Sequence, residues 1–349
     1  MSYRSALATT TLLTAALLTP APASAVGETC QGRPATIVGT GAEVRGTSGD
    51  DVVVTGASRK ADAGAGDDLI CVTATDQDRR IYVSAGPGND SVDASATTAY
   101  STTTDLGDGL DRYVGGVGGG FLYVQANGAD DHVQDTFVTT LSITEPPTGS
   151  VGSYTGGYLV VVSATLGIDV DLDGQLVVGG TAAAVMGGYT DADVFAPEVV
   201  LRGNAHRNSL GARGCDVRIY GEGGHDYLQS RAQGGDGEPT FDCNSATQLL
   251  GGAGNDELYG WHGKDRLVGN AGRDRLVGGD ESDVLLGGSG DDILEGESGR
   301  DVLRGNGGSD YLTGGKGRDA LRGDAGRDMA SGDKGRDRCV AETERHCES

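Results

Sequence analysis

Aromatic residues are scarce in this chain of 349 residues: four phenylalanines and one tryptophan, against 62 glycines. That scarcity excludes a large core built on ring packing, and thin stacked layers suit such a composition better. Extended helical periodicity is also lacking. Short β-branched runs such as Val52-Val53-Val54 and Leu159–Val162 take its place, so the chain reads as mostly strand. Basic residues are few, with 27 Lys and Arg against 51 Asp and Glu, a net charge of −24. Between Ile81 and Leu201, fifteen acidic residues face a single base, Arg112. Such a surface suits solubility and cation binding, and it rejects nucleic acid and anionic membrane.

Catalytic signatures are missing as well. There is no H-E-x-x-H, no G-x-S-x-G and no G-x-x-x-x-G-K-[ST], and none of His132, His206, His225, His262 and His346 has a second histidine at metal-ligand spacing. The glycine turns end in carboxylates, which repel phosphate. No enzyme is therefore expected. The rival reading is a carbohydrate-active β-helix, whose acidic substrate wants bases in a groove where residues 81–201 offer only Arg112.

Long apolar runs are limited to one. Arg4, the apolar run Ala6–Leu18 and the A-x-A site Ala23-Ser24-Ala25 make residues 1–25 a cleavable signal peptide, so the mature chain begins at Val26. That run is too short for a stable membrane span, and no second one follows. A secreted, extracellular and soluble product is expected.

What the chain does have is a repeat. Residues 251–340 divide into ten nonapeptides without insertion, from GGAGNDELY to GDKGRDRCV. Glycine opens all ten and holds the fourth place in nine, with Glu281 the exception. Aspartate holds every sixth place: Asp256, Asp265, Asp274, Asp283, Asp292, Asp301, Asp310, Asp319, Asp328 and Asp337. Leucine holds the eighth place in eight units, and Ala330 and Cys339 close the series. Glycines at places one and four are expected to take positive φ and turn the chain tightly, aiming carbonyls inward. The aspartate adds a carboxylate to the same concavity, and carbonyl plus carboxylate oxygen is the ligand set that Ca²⁺ prefers. The last three places, with the eighth apolar, read as a very short strand showing one side chain to a core. A flexible Gly/Asp linker would have no reason to keep leucine every ninth residue.

This stretch resembles the repeats-in-toxin (RTX, haemolysin-type) calcium-binding nonapeptide. The resemblance implies a right-handed parallel β-roll with two units per turn of eighteen residues. It also implies Ca²⁺ between consecutive loops on one side, held by the sixth-place carboxylates and loop carbonyls. Ten units give four gaps per side, or at most about eight ions. The candidate ligands are the sixth-place aspartates from Asp256 to Asp328, joined upstream by Asp51, Asp68, Asp90 and Asp226. Because closely placed carboxylates repel until a cation lies between them, the segment is expected to be loose without Ca²⁺ and to fold on binding it. The cleaved N-terminal signal departs from many RTX proteins, so toxin biology is not carried over.

Upstream, the theme is looser. GTSGDDVVV from Gly46, AGAGDDLIC from Ala63 and AGPGNDSVD from Ala85 carry a turn and a sixth-place aspartate, and weaker copies follow around Asp111 and Asp131. Spacings near twenty give one match per turn, as if one side of a coil kept its calcium-type loop. A fossil repeat that keeps the turn and binds nothing is the alternative. Residues 168–174 read IDVDLDG, either the opening of an EF-hand loop or an alternating strand ending in a glycine turn. Gly180 stands where an EF-hand places its bidentate glutamate, which favours the strand. GEGGHDYLQ from Gly221 is a good repeat centred on Asp226, and the stretch around Cys243 reads as an insertion.

Six cysteines fit an oxidising compartment and allow fifteen pairings. The sequential one (Cys30 with Cys71, Cys215 with Cys243, Cys339 with Cys347) is expected, because each pair brackets a local feature. The fold class expected is all-β: a right-handed parallel β-roll/β-helix solenoid, irregular over 26–250, regular over 251–340, with a cap or tail at 341–349. The expected function is a secreted calcium-binding repeat protein, and the alternative is a cell-surface adhesion or matrix module with a glycan or cell-surface partner.

Overall fold

A nine-residue period with one apolar place gives each short strand a single inward side chain, which cannot form a core alone. Stacking solves this, since every second unit then lies directly above the one before. The computed structural model describes residues 28–74, 80–97, 101–115, 120–125, 132–134, 138–142, 152–155, 158–162, 167–178, 181–187, 189–230 and 246–347. Among them there is no helix, and the chain is a parallel-strand β-solenoid. The expected signal peptide, residues 1–25, and Cys243 lie outside the described residues.

Two sheets face each other, and the chain visits them alternately. One has sixteen strands, all paired in parallel, from Glu43–Arg45 to Thr343–Arg345. The other runs from Ile37–Val38 to Arg338–Val340. In the regular part the register is eighteen residues. Leu258, Leu276, Leu294, Leu312 and Ala330 line up in one sheet. Leu249, Leu267, Leu285, Leu303, Leu321 and Cys339 line up in the other. All are buried in one continuous core with the upstream body. Each fully buried leucine contributes ~1.5–3 kcal/mol. Because every place-eight side chain meets only its two stacked neighbours and the opposite sheet, stability accumulates turn by turn.

Among the described residues of the two sheets, the pairing departs from parallel in one place. Tyr158–Val162 pairs directly with Asp191–Phe195 in one sheet. In the other, three strands intervene between Gly152–Thr155 and Glu198–Asn204: Thr181–Gly187, Gln175–Val178 and Ile168–Asp171, with Gln175–Val178 antiparallel to both neighbours. The IDVDLDG segment is thus a strand and a tight hairpin. The Gly174 N–H donates to the Asp171 carbonyl at 3.0 Å, and the Asp171 carboxylate accepts the Asp173 N–H. Ile168 and Val170 point into the core while Asp169 and Asp171 point out. The alternating-strand reading therefore describes this segment, and a helix-flanked metal loop does not.

Both ends are clipped. Cys30 is bonded to Cys71, tying the hairpin Thr29–Cys30/Arg33–Pro34 to the outer side of Val52, Val54 and Leu69. Cys339 is bonded to Cys347, holding the last strand, Thr343–Arg345, against Met329–Gly335. Cys215 is disulfide-bonded as well.

Candidate metal centre

The sixth-place aspartates are buried, none more than 2% exposed from Asp256 to Asp337. A buried carboxylate needs partners, and the stack supplies one of two. The N–H of each aspartate donates to Oδ1 of the aspartate one turn further on. The pairs are Asp256 to Asp274, Asp274 to Asp292, Asp292 to Asp310 and Asp310 to Asp328 along one edge, and Asp265 to Asp283, Asp283 to Asp301, Asp301 to Asp319 and Asp319 to Asp337 along the other, all at 2.8–3.0 Å. Oδ1 thus continues the backbone ladder across the bend. Oδ2 of every one of these aspartates is buried with no hydrogen-bond partner.

The first-place glycines explain the space around Oδ2, and they correct the expectation about φ. None of them has a left-handed φ; that conformation falls at place two and place four. Place two holds it even as Trp261, Asn270, Glu297, Asn306, Asp324 and Asp333. First-place glycine is required for room. A Cβ on Gly251, Gly260, Gly269, Gly287 or Gly296 would come within 3.0 Å both of its own unit's Oδ2 and of the carbonyl oxygen of the first glycine one turn on. Each bend therefore holds a cradle, kept clear by a missing methyl and lined by one carboxylate and one carbonyl oxygen. Among the described residues no three acidic, histidine or cysteine side chains converge on one point. An ion in a cradle would take its remaining ligands from backbone carbonyls, which hard Ca²⁺ accepts readily. The orphaned oxygens and all-oxygen lining fit that ion.

Electrostatics point the same way. Burial pushes the Asp265, Asp292 and Asp301 carboxyls up to about 7 and those of Asp274 and Asp283 to about 6. The N–H from the neighbouring turn opposes the shift, and adjacent carboxylates add to it. Asp256, Asp310 and Asp319 are raised for the same leading reason, burial. A carboxylate that resists ionising while buried is one that a cation would relieve. The place-five bases Lys264, Arg273, Arg300, Arg318, Arg327 and Arg336 are all exposed.

The files extend beyond the regular units. Asp226 donates its N–H to Asp256 Oδ1 across thirty residues, and its own Oδ2 is unpartnered. Asn208 ends this file upstream. Its carboxamide accepts the Asn204 N–H and donates to the Thr190 carbonyl, so nothing is left open. Downstream, Glu342 accepts the Asp328 N–H at 2.8 Å, in place of a further aspartate. Thr247 opens the second file by donating its N–H to Asp265 Oδ1. The terminal residues Asn208, Thr247 and Glu342 were invisible as such in the sequence, where only Asn208 stood at a recognisable sixth place.

The upstream aspartates form a third file: Asp51 to Asp68, Asp68 to Asp90 and Asp90 to Asp111, each N–H to Oδ1 at 2.8 Å. Asp68 and Asp90 keep a buried, unpartnered Oδ2 and are raised by burial to about 6 and about 7. Asp51 differs, because Thr36 Oγ1, Thr47 N–H and Thr47 Oγ1 donate to its two oxygens at 2.7–3.1 Å. It is a closed end of its file, with no open oxygen. Asp131 lies outside the described residues.

The family model of the RTX calcium-binding nonapeptide repeat, built on four copies, matches residues 245–276, 268–303 and 304–339. Over these residues the chain is similar to RTX calcium-binding nonapeptide repeats. No similarity to an individual curated protein accompanies the match. The RTX match ends at 339, one residue short of the last nonapeptide, and begins with the strand Ala246–Ala253 that precedes Asp256. The third file, from Asp51 to Asp111, lies outside the matched residues and shares their N–H to Oδ1 ladder, but Ala63, Ala85 and Leu106 stand where the regular units have their first-place glycine.

Proposed function

We propose that the chain is a secreted calcium-binding repeat protein whose Ca²⁺ ions sit between stacked Gly/Asp bends and make the fold rigid outside the cell. The observation that carries this reading is the file of buried carboxylates, each with one oxygen spent on the neighbouring turn and the other open beside a carbonyl. The proposed ligands are Asp226, Asp256, Asp274, Asp292, Asp310 and Asp328 along one edge and Asp265, Asp283, Asp301 and Asp319, with Asp337, along the other. Asp68 and Asp90 are proposed as a smaller upstream site. Asp51 is not a proposed ligand, since two threonine hydroxyls and a backbone N–H already satisfy its oxygens.

Folding enters through charge. Ten regular units bring ten aspartates into two files, and without a counter-ion each turn added brings another carboxylate beside the last. Divalent ions reverse that balance, so ion binding and ordering of residues 251–340 become one event. The proposed division keeps residues 26–250 as the irregular body and 341–349 as the cap, with residues 1–25 removed on export. Calorimetric counting of Ca²⁺ per chain, followed by circular dichroism in chelator, tests the reading. Several ions per chain and a loss of strand signal without calcium are expected. A chain that takes up no calcium, or keeps full strand signal in chelator, overturns it.

A further inference from the structure

The only tryptophan in the chain stands where the repeat is least hospitable to it. Trp261 occupies place two of its unit with φ +70°, a conformation that Gly, Asn and Asp adopt most readily; Glu297 shares it, but Trp261 is the one aromatic at place two of the ten units. Packing does not compensate, because the side chain is 46% exposed. A strained, exposed aromatic that breaks the local rule without a structural gain is the kind of outlier that marks a functional position.

Trp261 is not isolated. Its ring lies 6.1 Å from that of Tyr259 with 25° between planes, and Tyr259 lies 5.3 Å from Tyr227. Tyr227 and Tyr259 come from adjacent strands of one sheet, with Gln229 opposite Tyr259 and Glu257 opposite Tyr227. The three rings therefore form one contiguous strip, half-buried at Tyr227 and Tyr259 and exposed at Trp261. Hydrogen-bonding groups border it. Gln229 accepts from the Tyr227 hydroxyl and Glu257 from the Tyr259 hydroxyl, and the ion pairs His262–Asp280 and Arg275–Glu295 stand beside it.

We propose that the Tyr227–Tyr259–Trp261 strip binds a neutral glycan chain, with sugar C–H faces stacking on the rings and hydroxyls taken by Gln229, Glu257 and the neighbouring pairs. Three contiguous rings edged by polar groups offer both contacts a saccharide needs, apolar surface for its C–H faces and partners for its hydroxyls. A second copy of the protein is a poor occupant, since a stable dimer needs about 800 Å² per partner and the strip is far narrower. The net charge of −24 also opposes self-association and disfavours an acidic polysaccharide. The inference does not depend on the calcium reading.

Because Trp261 is the sole tryptophan, its fluorescence reports directly on the strip. The intact secreted chain is titrated in calcium with cellohexaose, chitohexaose and laminarihexaose, and with oligogalacturonate as the acidic comparison. A saturable blue shift with at least one neutral hexasaccharide, and none with oligogalacturonate, is expected. Trp261→Gly relieves the backbone, so it keeps the fold by circular dichroism while calorimetric affinity drops at least tenfold; Tyr259→Ala weakens binding similarly. No saturable response to any neutral sugar, or a Trp261→Gly chain that binds like the parent, overturns the proposal. Equal binding of oligogalacturonate overturns its restriction to neutral chains.

Discussion

At the scale of the residue, the sixth-place aspartate does two jobs with two oxygens. Oδ1 replaces a missing backbone partner at the bend, and Oδ2 is left buried without a hydrogen bond, where the proposed ion would sit. At Asn208 the backbone N–H still joins the ladder, but the carboxamide oxygen accepts from Asn204 in its own unit and the file ends; at an interior place an asparagine Oδ1 can accept the same N–H as the aspartate it replaces, without the charge. Asp283→Asn is accordingly expected to preserve the fold, lower the number of calcium ions bound and raise the melting temperature of the ion-free protein. Calorimetry and thermal melts in chelator check both halves, and an unchanged ion count would count against Asp283 as a ligand. Glycine can be dissected in the same way. Gly269→Ala pushes a methyl against Asp274 Oδ2 and the Gly287 carbonyl and is expected to cost roughly 1–3 kcal/mol. Glu297→Gly, at a left-handed position, is expected to stabilise by about 1 kcal/mol. Denaturant unfolding of the two variants should move in opposite directions.

At the scale of the element, each bend-and-strand unit is a balance of burial against charge. Because burial raises the carboxyl groups, the ion-free fold prefers them protonated. Their contribution to ion-free stability is full below the ordinary carboxylate range near pH 4 and is lost as pH rises through about 6 to 7. Calcium-depleted protein should therefore melt at a lower temperature at pH 8 than at pH 5. Melting curves after exhaustive dialysis test this, and a melting temperature that climbs with pH would refute it. Much of the unit was legible in the sequence. Leucine every nine residues gave the core file, and glycine with aspartate gave the bend. What was not legible was which glycine did which task. Placing positive φ at place one followed from glycine's freedom alone, whereas Gly251 and its equivalents are glycines because a carboxylate from five residues on needs their space. That is a contact across the bend, and a linear pattern does not distinguish it from a torsional demand.

At the scale of the whole molecule, the chain is one solenoid with a wedge in it. Two more strands in one sheet than in the other, at ~4.8 Å each, lengthen that side by about 10 Å between Tyr158 and Phe195. The antiparallel pairing there could not be read from residues 168–178, which alternate as any strand does; only the hairpin turn at Asp171–Gly174 was visible. Asp51 shows the same limit in the other direction. It carries the full motif, yet Thr36, fifteen residues earlier, takes its Oδ1 and Thr47 of its own unit takes its Oδ2. Clipping the final turn should matter for the whole regular stack, because its last strand rests on a single eight-residue loop. Cys339→Ser with Cys347→Ser is expected to lower stability by roughly 2–3 kcal/mol. It should also speed amide exchange in the last two turns before any other, as hydrogen-exchange mass spectrometry would read.

The direction of the aspartate ladder sets an order in time. Every bend lends its N–H forward, to an oxygen that has not yet been synthesised when the bend itself is made, and the series stops only at Glu342. A growing chain thus carries unmatched donors only in its leading turn, each filled when the next turn, eighteen residues on in the regular part, is made. A truncated chain lacking that terminus would leave the Asp328 N–H without its acceptor and its last complete turn open, while the turns before it stay closed.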